Sequence, residues 1–148
     1  MSIRNRIEVM HGVNLDQLGR RPAAHYGDLN FEQLQFRIDG YGAELDLLLR
    51  FFQTNAEHEF VEHLHRLDGL ADGVVLNPGA WTHYSIAVRD ACSQLTAPLV
   101  EVHISNIHQR EEFRHHSVIS AIASGVIVGL GVEGYLLALR WLSLKGRA

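Results

Sequence analysis

The chain has 148 residues, of which 47% are hydrophobic and 20% are charged, so its composition excludes a disordered tail, a fibre and a coiled coil. Its length is typical of one domain, here residues 1–148, and no apolar run approaches the roughly 18 residues of a membrane span. The net charge of −4 argues against bulk attraction to nucleic acid or an anionic membrane, while the single cysteine and an N-terminus without an apolar signal core favour the cytoplasm.

The first half of the chain predicts two strands, each followed by a helix. The apolar run at 7–10 predicts a strand that ends at a His-Gly pair, and residues 31–45 carry apolar side chains at helical spacing. A second β-like run covers 47–53. The stretch 57–67 predicts a helix because its apolar side chains share one face.

The second half continues the alternation of strands and helices. In chain order we predict a strand at 73–76, a helix at 82–95, a strand at 99–102, a short helix at 117–123, a strand at 126–128 and a closing helix at 132–144. The strands are apolar runs without polar alternation, which is typical of a parallel sheet that helices cover on both faces. With right-handed crossovers, five such strands predict an α/β fold, a three-layer flavodoxin-like sandwich around a parallel sheet of order 2-1-3-4-5.

Polar motifs follow three of the predicted strands at their C-terminal ends, at residues 11–14, 77–83 and 101–106. Taken singly, each has a structural interpretation, such as an Asn-Pro-Gly turn with Thr82 as the N-cap of a helix. Strands 1, 3 and 4 are neighbours in the predicted order, however, so the three motifs converge on the rim where open α/β sheets bind ligands. That convergence favours a functional site over three unrelated turns.

The ten histidines are numerous for a chain of this length. His83 and His103 stand at predicted strand ends beside amide and hydroxyl groups, where a titrating imidazole is useful. His58, His63 and His65 lie on a helical stretch whose apolar face is occupied by other residues, so we expect them to face solvent.

Two patterns suggest cofactors, but each lacks what its cofactor needs. Residues 129–134 match G-x-G-x-x-G, yet no further strand and no acidic residue about 20 positions on follow it, so we interpret the motif as a tight strand-to-helix turn. A metal site formed by His103 and His108 is an alternative, although one cysteine cannot build a thiolate site and no H-E-x-x-H motif occurs. We therefore expect no cofactor and no metal.

The rim motifs resemble those of type II 3-dehydroquinate dehydratases, and the match runs in order through nearly the whole chain. It covers 12–15, 18–21, 26–27, 77–83, 89–91, 101–106, 110–117, 129–131 and 134–135. The resemblance implies a flavodoxin-like fold and the reversible dehydration of 3-dehydroquinate to 3-dehydroshikimate through an enolate, without a cofactor, in the shikimate pathway or in quinate catabolism. It also implies a cytoplasmic homododecamer, built as a tetramer of trimers.

The same resemblance implies roles for individual residues. Tyr26 is the implied proton acceptor, Arg21 stabilises its charged form, and His103 is the implied proton donor. The implied substrate-binding positions are Asn77, His83, Asp90, Ile104, Ser105 and Arg114. Further implied active-site positions are Asn14, Glu101 and Arg110. In the implied trimer, Asp90 reaches the site of a neighbouring subunit.

These residue types suit an elimination next to a ketone. Tyrosine has an ordinary pKa of about 10, and a nearby guanidinium favours the phenolate that a base at neutral pH requires. Arg21 and Tyr26 share one loop, so they meet only if that loop folds over the ligand as a lid. A histidine can protonate the leaving hydroxyl, and Glu101, two residues before His103 on the same side of a strand, can orient that histidine. Asn77 can stabilise the enolate oxygen through its amide or a bound water.

The chain departs from the usual family pattern at residues 11–13, where His-Gly-Val replaces Asn-Gly-Pro, and at 55–59, where Asn-Ala-Glu-His-Glu replaces Asn-His-Glu-Gly-Glu. Neither departure changes the implied acid, base or loop arginine. One alternative is a catalytically silent binding protein of the same fold, which predicts loss of at least one of those three residues. Another is a flavin or nucleotide binder, which needs a phosphate-cradling loop that residues 11–19 do not supply.

Overall fold

A five-stranded parallel sheet lies at the centre of the structure, a computed structural model that describes residues 4–145. The strands are β1 (Arg6–His11), β2 (Leu48–Gln53), β3 (Gly73–Asn77), β4 (Leu99–His103) and β5 (Gly125–Val128). Their order across the sheet is β2-β1-β3-β4-β5, and every hydrogen-bonded pair is parallel. The predicted three-layer flavodoxin-like sandwich with strand order 2-1-3-4-5 is therefore confirmed.

Within residues 4–145, five α-helices connect and cover the strands. They are α1 (Ala23–Tyr26), α2 (Phe31–Glu44), α3 (Glu57–Arg66), α4 (Ile86–Ser93) and α5 (Glu133–Lys145). Helix α2 begins at Phe31 because Asn30 and Gln33 form a capping box, in which each side chain accepts a hydrogen bond from the backbone N–H of the other. None of the described helices is both long and apolar enough to cross a membrane.

The two faces of the sheet carry separate apolar clusters, because successive strand residues point to opposite faces. The cluster under α2 and α5 includes Val9, Val75, Val102, Leu34 and Leu139. The cluster under α3 and α4 includes Met10, Val74, Leu76, Phe60 and Val88. Both faces are covered, which explains why the strands are continuous apolar runs in the sequence.

Helix α4 begins later than the sequence predicts. The prediction starts this helix at Thr82, but α4 begins at Ile86 and follows a 3-10 turn, Gly79–His83. The hydroxyl of Ser85 accepts a 3.0 Å hydrogen bond from a first-turn backbone N–H and caps the helix. Thr82 does not act as the cap because its hydroxyl donates to the buried carboxylate of Glu101.

The predicted short helix at 117–123 is wrong. This segment forms only a 3-10 turn, Ser120–Ile122. The hydroxyls of Ser117 and Ser120 donate to the Glu101 carboxylate at 3.2 and 2.8 Å, and Ser117 Oγ also accepts from the backbone N–H of Ser120. Serine hydroxyls that pair with nearby backbone groups compete with helical hydrogen bonding, so the segment stays irregular.

The expectation that the helical histidines face solvent holds for two of them. His58 and His65 are exposed, but the side chain of His63 is only 20% exposed. Its Nε2 donates to the buried carboxylate of Glu8 at 2.7 Å, and its ring stacks on Phe52 with centroids 3.8 Å apart. A buried carboxylate needs donors, and His63 supplies one of them together with an arginine from β2.

The glycine-rich motif after β5 forms the predicted tight strand-to-helix turn. Gly129 and Gly131 have φ angles of +85° and +60°, in the left-handed region that favours glycine. The N–H of Gly131 donates to the carbonyl of Ile104 at 3.0 Å. This contact ties the turn to the residue that follows β4.

The backbone of Gly12, directly after β1, lies close to the backbone that follows β3. Its N–H donates to the carbonyl of Asn77 at 2.7 Å, and a Cβ at this position would lie 2.3 Å from the carbonyl oxygen of Pro78. We expect Gly12→Ala to lower the free energy of unfolding by about 1–3 kcal/mol, the usual cost of overpacking. Gly125→Ala is the matched control, because nothing beyond its chain neighbours lies within 4 Å of the added Cβ. Denaturant unfolding checks the difference, and equal loss in both variants would contradict it.

Candidate active site

A cleft with about 360 Å³ of empty space lies beyond the carboxyl ends of β1, β3 and β4. It is lined by Leu15, Arg21, Tyr26, Asn77, Gly79, Ala80, His83, His103, Ile104, Ser105, Ile107, Arg110 and Arg114. Nine of these residues are predicted site residues, and the rim motifs therefore come together as their strand positions imply. The sequence does not predict Leu15, Gly79, Ala80 or Ile107, because apolar and backbone walls look like ordinary core and turn.

The hydroxyl of Tyr26 lies between two guanidinium groups. It accepts hydrogen bonds from Arg21 Nη2 at 2.6 Å and from Arg110 Nη1 at 2.8 Å. Tyr26 itself is buried, at the end of α1. Burial lowers the pKa of Arg21, but a guanidinium stays charged at neutral pH. Two positive charges therefore stabilise negative charge on this oxygen.

Arg110 connects the Tyr26 loop to the end of β4. Besides its bond to Tyr26, its Nη1 donates to the hydroxyl of Ser105 at 3.1 Å. The sequence predicts Arg110 only as a supporting residue, with Arg21 as the partner of Tyr26. The 84 residues that separate Arg110 from Tyr26 explain why spacing alone cannot reveal this contact.

At the end of β4, His103 Nε2 donates to the carboxylate of Glu101. Glu101 is fully buried, yet burial does not raise its pKa overall. Burial opposes the charged form, but the hydrogen bond and charge of His103, with two serine hydroxyls, hold the pKa of Glu101 below its ordinary value. The carboxylate is therefore charged at neutral pH, and it orients the imidazole as the spacing predicts.

Three hydroxyl groups around Glu101 belong to the site although the sequence does not predict them as site residues. Thr82 Oγ1 donates to Glu101 at 3.0 Å and lies 2.6 Å from Ser117 Oγ, while Ser117 and Ser120 bind the other carboxylate oxygen. Ser117 ends one of the motifs that carry the family resemblance, which was the available signal. These residues act through Glu101 and do not line the cleft.

His83 shares the cleft with His103. Their rings are nearly parallel, with centroids 6.4 Å apart. His83 Nδ1 donates to the carbonyl of His116 at 2.9 Å. Partial burial lowers the pKa of His83, so its imidazole is neutral at pH 7. Because Nδ1 carries the proton, Nε2 of this neutral imidazole can accept a hydrogen bond in the cleft without adding another positive charge.

Asn77 occupies the floor of the cleft at the end of β3. Its Nδ2 donates to the hydroxyl of Tyr135 at 2.8 Å, and its Oδ1 accepts from the N–H of Gly79 at 3.1 Å. Nearby, Arg114 lines the cleft while its Nε donates to Glu111. The three arginines of the cleft give it a positive character that suits an anionic ligand.

Three predicted site residues do not line the cleft of this chain. Asp90 is exposed on α4 and pairs with Arg89 at 3.0 Å. Asn14 is exposed, with φ +68°, and its backbone N–H donates to Asn55 Oδ1 at 2.8 Å. Glu101 lies behind His103 and reaches the cleft only through that imidazole.

The described residues offer no cluster that suits a metal ion. Among residues 4–145, no group of three or more His, Cys, Asp or Glu side chains is arranged to hold one. His108 lies beside His115, with ring centroids 6.1 Å apart, and His103 is paired with Glu101 instead. The alternative of a metal bound by His103 and His108 therefore has no support in this part of the chain.

Comparisons with known proteins agree over nearly the whole chain. The family model described as dehydroquinase class II matches residues 5–143. A 3-dehydroquinate dehydratase of Salinispora tropica is 55% identical over 142 residues, which cover 96% of this chain and 99% of the relative. One of Mycobacterium tuberculosis is 50% identical over 137 residues, 93% of each chain.

Solved structures give the same result. The type II dehydroquinase of Propionibacterium acnes has a TM-score of 0.92 at 49% identity, and the match covers 97% of this chain and 98% of that one. A 3-dehydroquinate dehydratase-like protein of Bifidobacterium longum matches with a TM-score of 0.73 at 30% identity, over 97% of this chain and 99% of that one. The similarity in sequence and in fold extends over nearly the whole chain, including the residues that line the cleft. This chain therefore belongs to the class II dehydroquinase family.

Proposed function

We propose that the cleft eliminates water from 3-dehydroquinate to give 3-dehydroshikimate, so that the protein is a hydro-lyase. The observation that carries this proposal is the Tyr26 hydroxyl held by two guanidinium groups in the same cleft as the His103–Glu101 pair. An elimination through an enolate requires one base and one acid, and these two arrangements supply them. The activity in the names of the relatives supports the same reaction.

Tyr26 is the proposed base. As a phenolate it removes a proton from the carbon next to the substrate ketone, and the electrons of that C–H bond move to the ketone oxygen. Arg21 and Arg110 stabilise the phenolate before the transfer, since both donate to its oxygen. Asn77 lines the floor and donates an amide N–H to the enolate oxygen that forms.

His103 is the proposed acid. When the enolate returns to a ketone, a carbon–carbon double bond forms and the carbon–oxygen bond of the β-hydroxyl breaks. The departing oxygen takes a proton from the protonated imidazole of His103 and leaves as water. The charged carboxylate of Glu101 accepts a hydrogen bond from His103 and fixes the orientation of its imidazole, which makes Glu101 a positioning residue.

The remaining lining residues bind the substrate. The carboxylate of 3-dehydroquinate fits the end of β4 at Ile104 and Ser105, beside the positive charge of Arg110. Arg114 and His83 are positioned for ring hydroxyls, because Arg114 keeps donors beyond its bond to Glu111 and His83 is neutral. A catalytically silent binding protein would require none of the charge placed around Tyr26, and no observation favours that alternative.

We further propose that the chain assembles as a dodecamer, a tetramer of trimers, in the cytoplasm. Asp90 lies exposed on α4, away from the cleft of its own chain, which suits a carboxylate that completes the site of a neighbour. Large apolar side chains are exposed close to it in sequence, with Tyr84 62% and Ile86 55% accessible. Their burial against another copy would remove apolar surface from water.

The reaction itself tests the proposal. Purified protein mixed with 3-dehydroquinate should develop the ultraviolet absorbance of the conjugated enone product, and dialysis against EDTA should leave the rate unchanged. Tyr26→Phe removes the base and little volume, so turnover should fall by at least about 10²–10⁴-fold while substrate binding is largely kept. A variant that retained most of the wild-type rate would show that Tyr26 is not the base and would make His83 the next candidate.

Proton exchange separates the base from the acid. In His103→Ala, turnover should collapse because the hydroxyl cannot leave, yet the proton next to the ketone should still exchange with solvent through Tyr26. In Tyr26→Phe that exchange should be absent. Deuterium incorporation into 3-dehydroquinate, followed by NMR, measures both variants. Normal exchange in Tyr26→Phe would contradict the assignment.

The two arginines should share the stabilisation of the Tyr26 phenolate. Because Arg110 also donates to the Tyr26 oxygen, Arg21→Ala alone should lower kcat less than Tyr26→Phe does. Replacing both arginines by alanine should bring kcat down to the level of Tyr26→Phe. Steady-state kinetics at several pH values measure the series. If Arg21→Ala alone matched the double variant, Arg110 would have no role in forming the base.

Assembly can be checked by light scattering. Twelve chains of 16.6 kDa predict a particle of about 200 kDa. Ile86→Glu places a charge in the proposed contact and should yield smaller particles with lower activity, because each site loses its neighbour's carboxylate. Glu44→Ala on α2, which covers the opposite face of the sheet, is a control change of charge at an exposed position. A fully active monomer would overturn the proposal.

A further inference from the structure

A fully buried histidine lies beneath the cleft without a hydrogen bond. Neither ring nitrogen of His11 has a partner among residues 4–145. Its ring meets Phe31 edge-on with centroids 5.0 Å apart, and it lies 5.3 Å from the ring of Tyr135. A polar nitrogen buried without a partner is costly, so a histidine at this position calls for a specific role.

Tyr135 has a hydroxyl proton without an acceptor among the described residues, whereas His11 has a nitrogen without a donor. The hydroxyl oxygen of Tyr135 accepts a hydrogen bond from Asn77 Nδ2 at 2.8 Å, but no described residue accepts its proton. Burial raises the pKa of Tyr135 above its ordinary value, so the proton stays on the oxygen. Burial lowers the pKa of His11 to about 3, and a neutral imidazole has one nitrogen free to accept.

We propose that His11 is a positioning residue that receives the hydrogen bond of the Tyr135 hydroxyl through one bridging water molecule, and thereby fixes the amide of Asn77 in the cleft. The backbone supports this arrangement. His11 and Asn77 are paired in the register of β1 and β3, so their side chains leave the same face of the sheet, where Tyr135 of α5 packs. The three side chains therefore form one contiguous group below the floor.

The arrangement decides which atoms Asn77 presents to the substrate. Its Oδ1 accepts from Gly79 N–H, and one hydrogen of its Nδ2 is given to Tyr135. The second N–H then remains for the cleft. The hydroxyl of Tyr135 accepts well from Asn77 only when its own proton points away from Asn77. As the acceptor for that proton, His11 keeps it pointing away. The inference rests on the proposed function, in which this second N–H stabilises the enolate oxygen.

Steady-state kinetics of four variants test the role. In His11→Leu and in Tyr135→Phe we expect kcat to fall roughly 10- to 100-fold with KM nearly unchanged, less than the 10²–10³-fold loss when an oxyanion donor is removed outright. The double variant should be no worse than either single one, because both break the same connection. His11→Asn restores an acceptor and should recover much of kcat. Val9→Ala is the matched control, since Val9 is fully buried on the same strand and face but does not line the cleft.

The outcomes separate this role from plain packing. If kcat in His11→Leu stays at the wild-type value, or changes only as much as in Val9→Ala at equal thermal stability, the positioning role is overturned. A kcat loss that the acceptor in His11→Asn rescues supports it. Additive losses in the double variant would also overturn it, because they would show two independent effects.

A measurement without substrate keeps the inference distinct from the proposed function. In protein labelled with ¹⁵N-histidine, the acceptor nitrogen of His11 should shift when Tyr135 becomes Phe, and it should not shift in Val9→Ala. An unchanged His11 signal in Tyr135→Phe would overturn the pairing even in an active enzyme. Absence of dehydratase activity in the wild-type protein would instead overturn the proposed function, while the ¹⁵N signal would still decide the pairing of His11 with Tyr135.

Discussion

The buried charge of Glu101 is the interaction on which the acid side of the cleft depends. A carboxylate removed from water is costly unless hydrogen bonds replace its hydration, and here one imidazole and three hydroxyls do so. The hydroxyls come from the turn after β3, through Thr82, and from the segment before β5, through Ser117 and Ser120. Because the pKa of Glu101 is held low, this network stabilises the fold above the ordinary pKa of a glutamate and loses that contribution as pH falls.

The base side of the cleft depends on a different kind of contact. Arg21 comes from the loop after β1, whereas Arg110 comes from the turn after β4, and they meet only at the oxygen of Tyr26. The position of the loop therefore decides whether both positive charges lie beside that oxygen. Ser105 follows the strand that carries His103, so one side chain, Arg110, connects the proposed base to the strand of the proposed acid.

The sheet and its order follow from the sequence, because apolar runs without alternation and intervening helices leave few parallel arrangements. Register then places the rim motifs together, so most of the cleft is predictable. The sequence does not predict which of two available hydrogen-bond partners a polar side chain takes. Thr82 is a suitable helix cap by local rules, but a buried carboxylate 19 residues away binds its hydroxyl more strongly. His63 has the spacing of a surface residue, yet Glu8 lies within reach only in the folded sheet.

The proposed acid and the proposed base are held in place by different parts of the fold. His103 ends a buried central strand and is fixed by Glu101, whereas Tyr26 sits on a four-residue helix within a loop. The hydroxyl of Tyr26 reaches Arg110 only through the position of that loop, so a change in the position of the loop would separate them. In the proposed elimination, both arginines therefore stabilise the phenolate only while the loop holds this position. The proposed acid is thus held by a central strand and the carboxylate beside it, whereas the proposed base is held by contacts between a loop and the turn after β4.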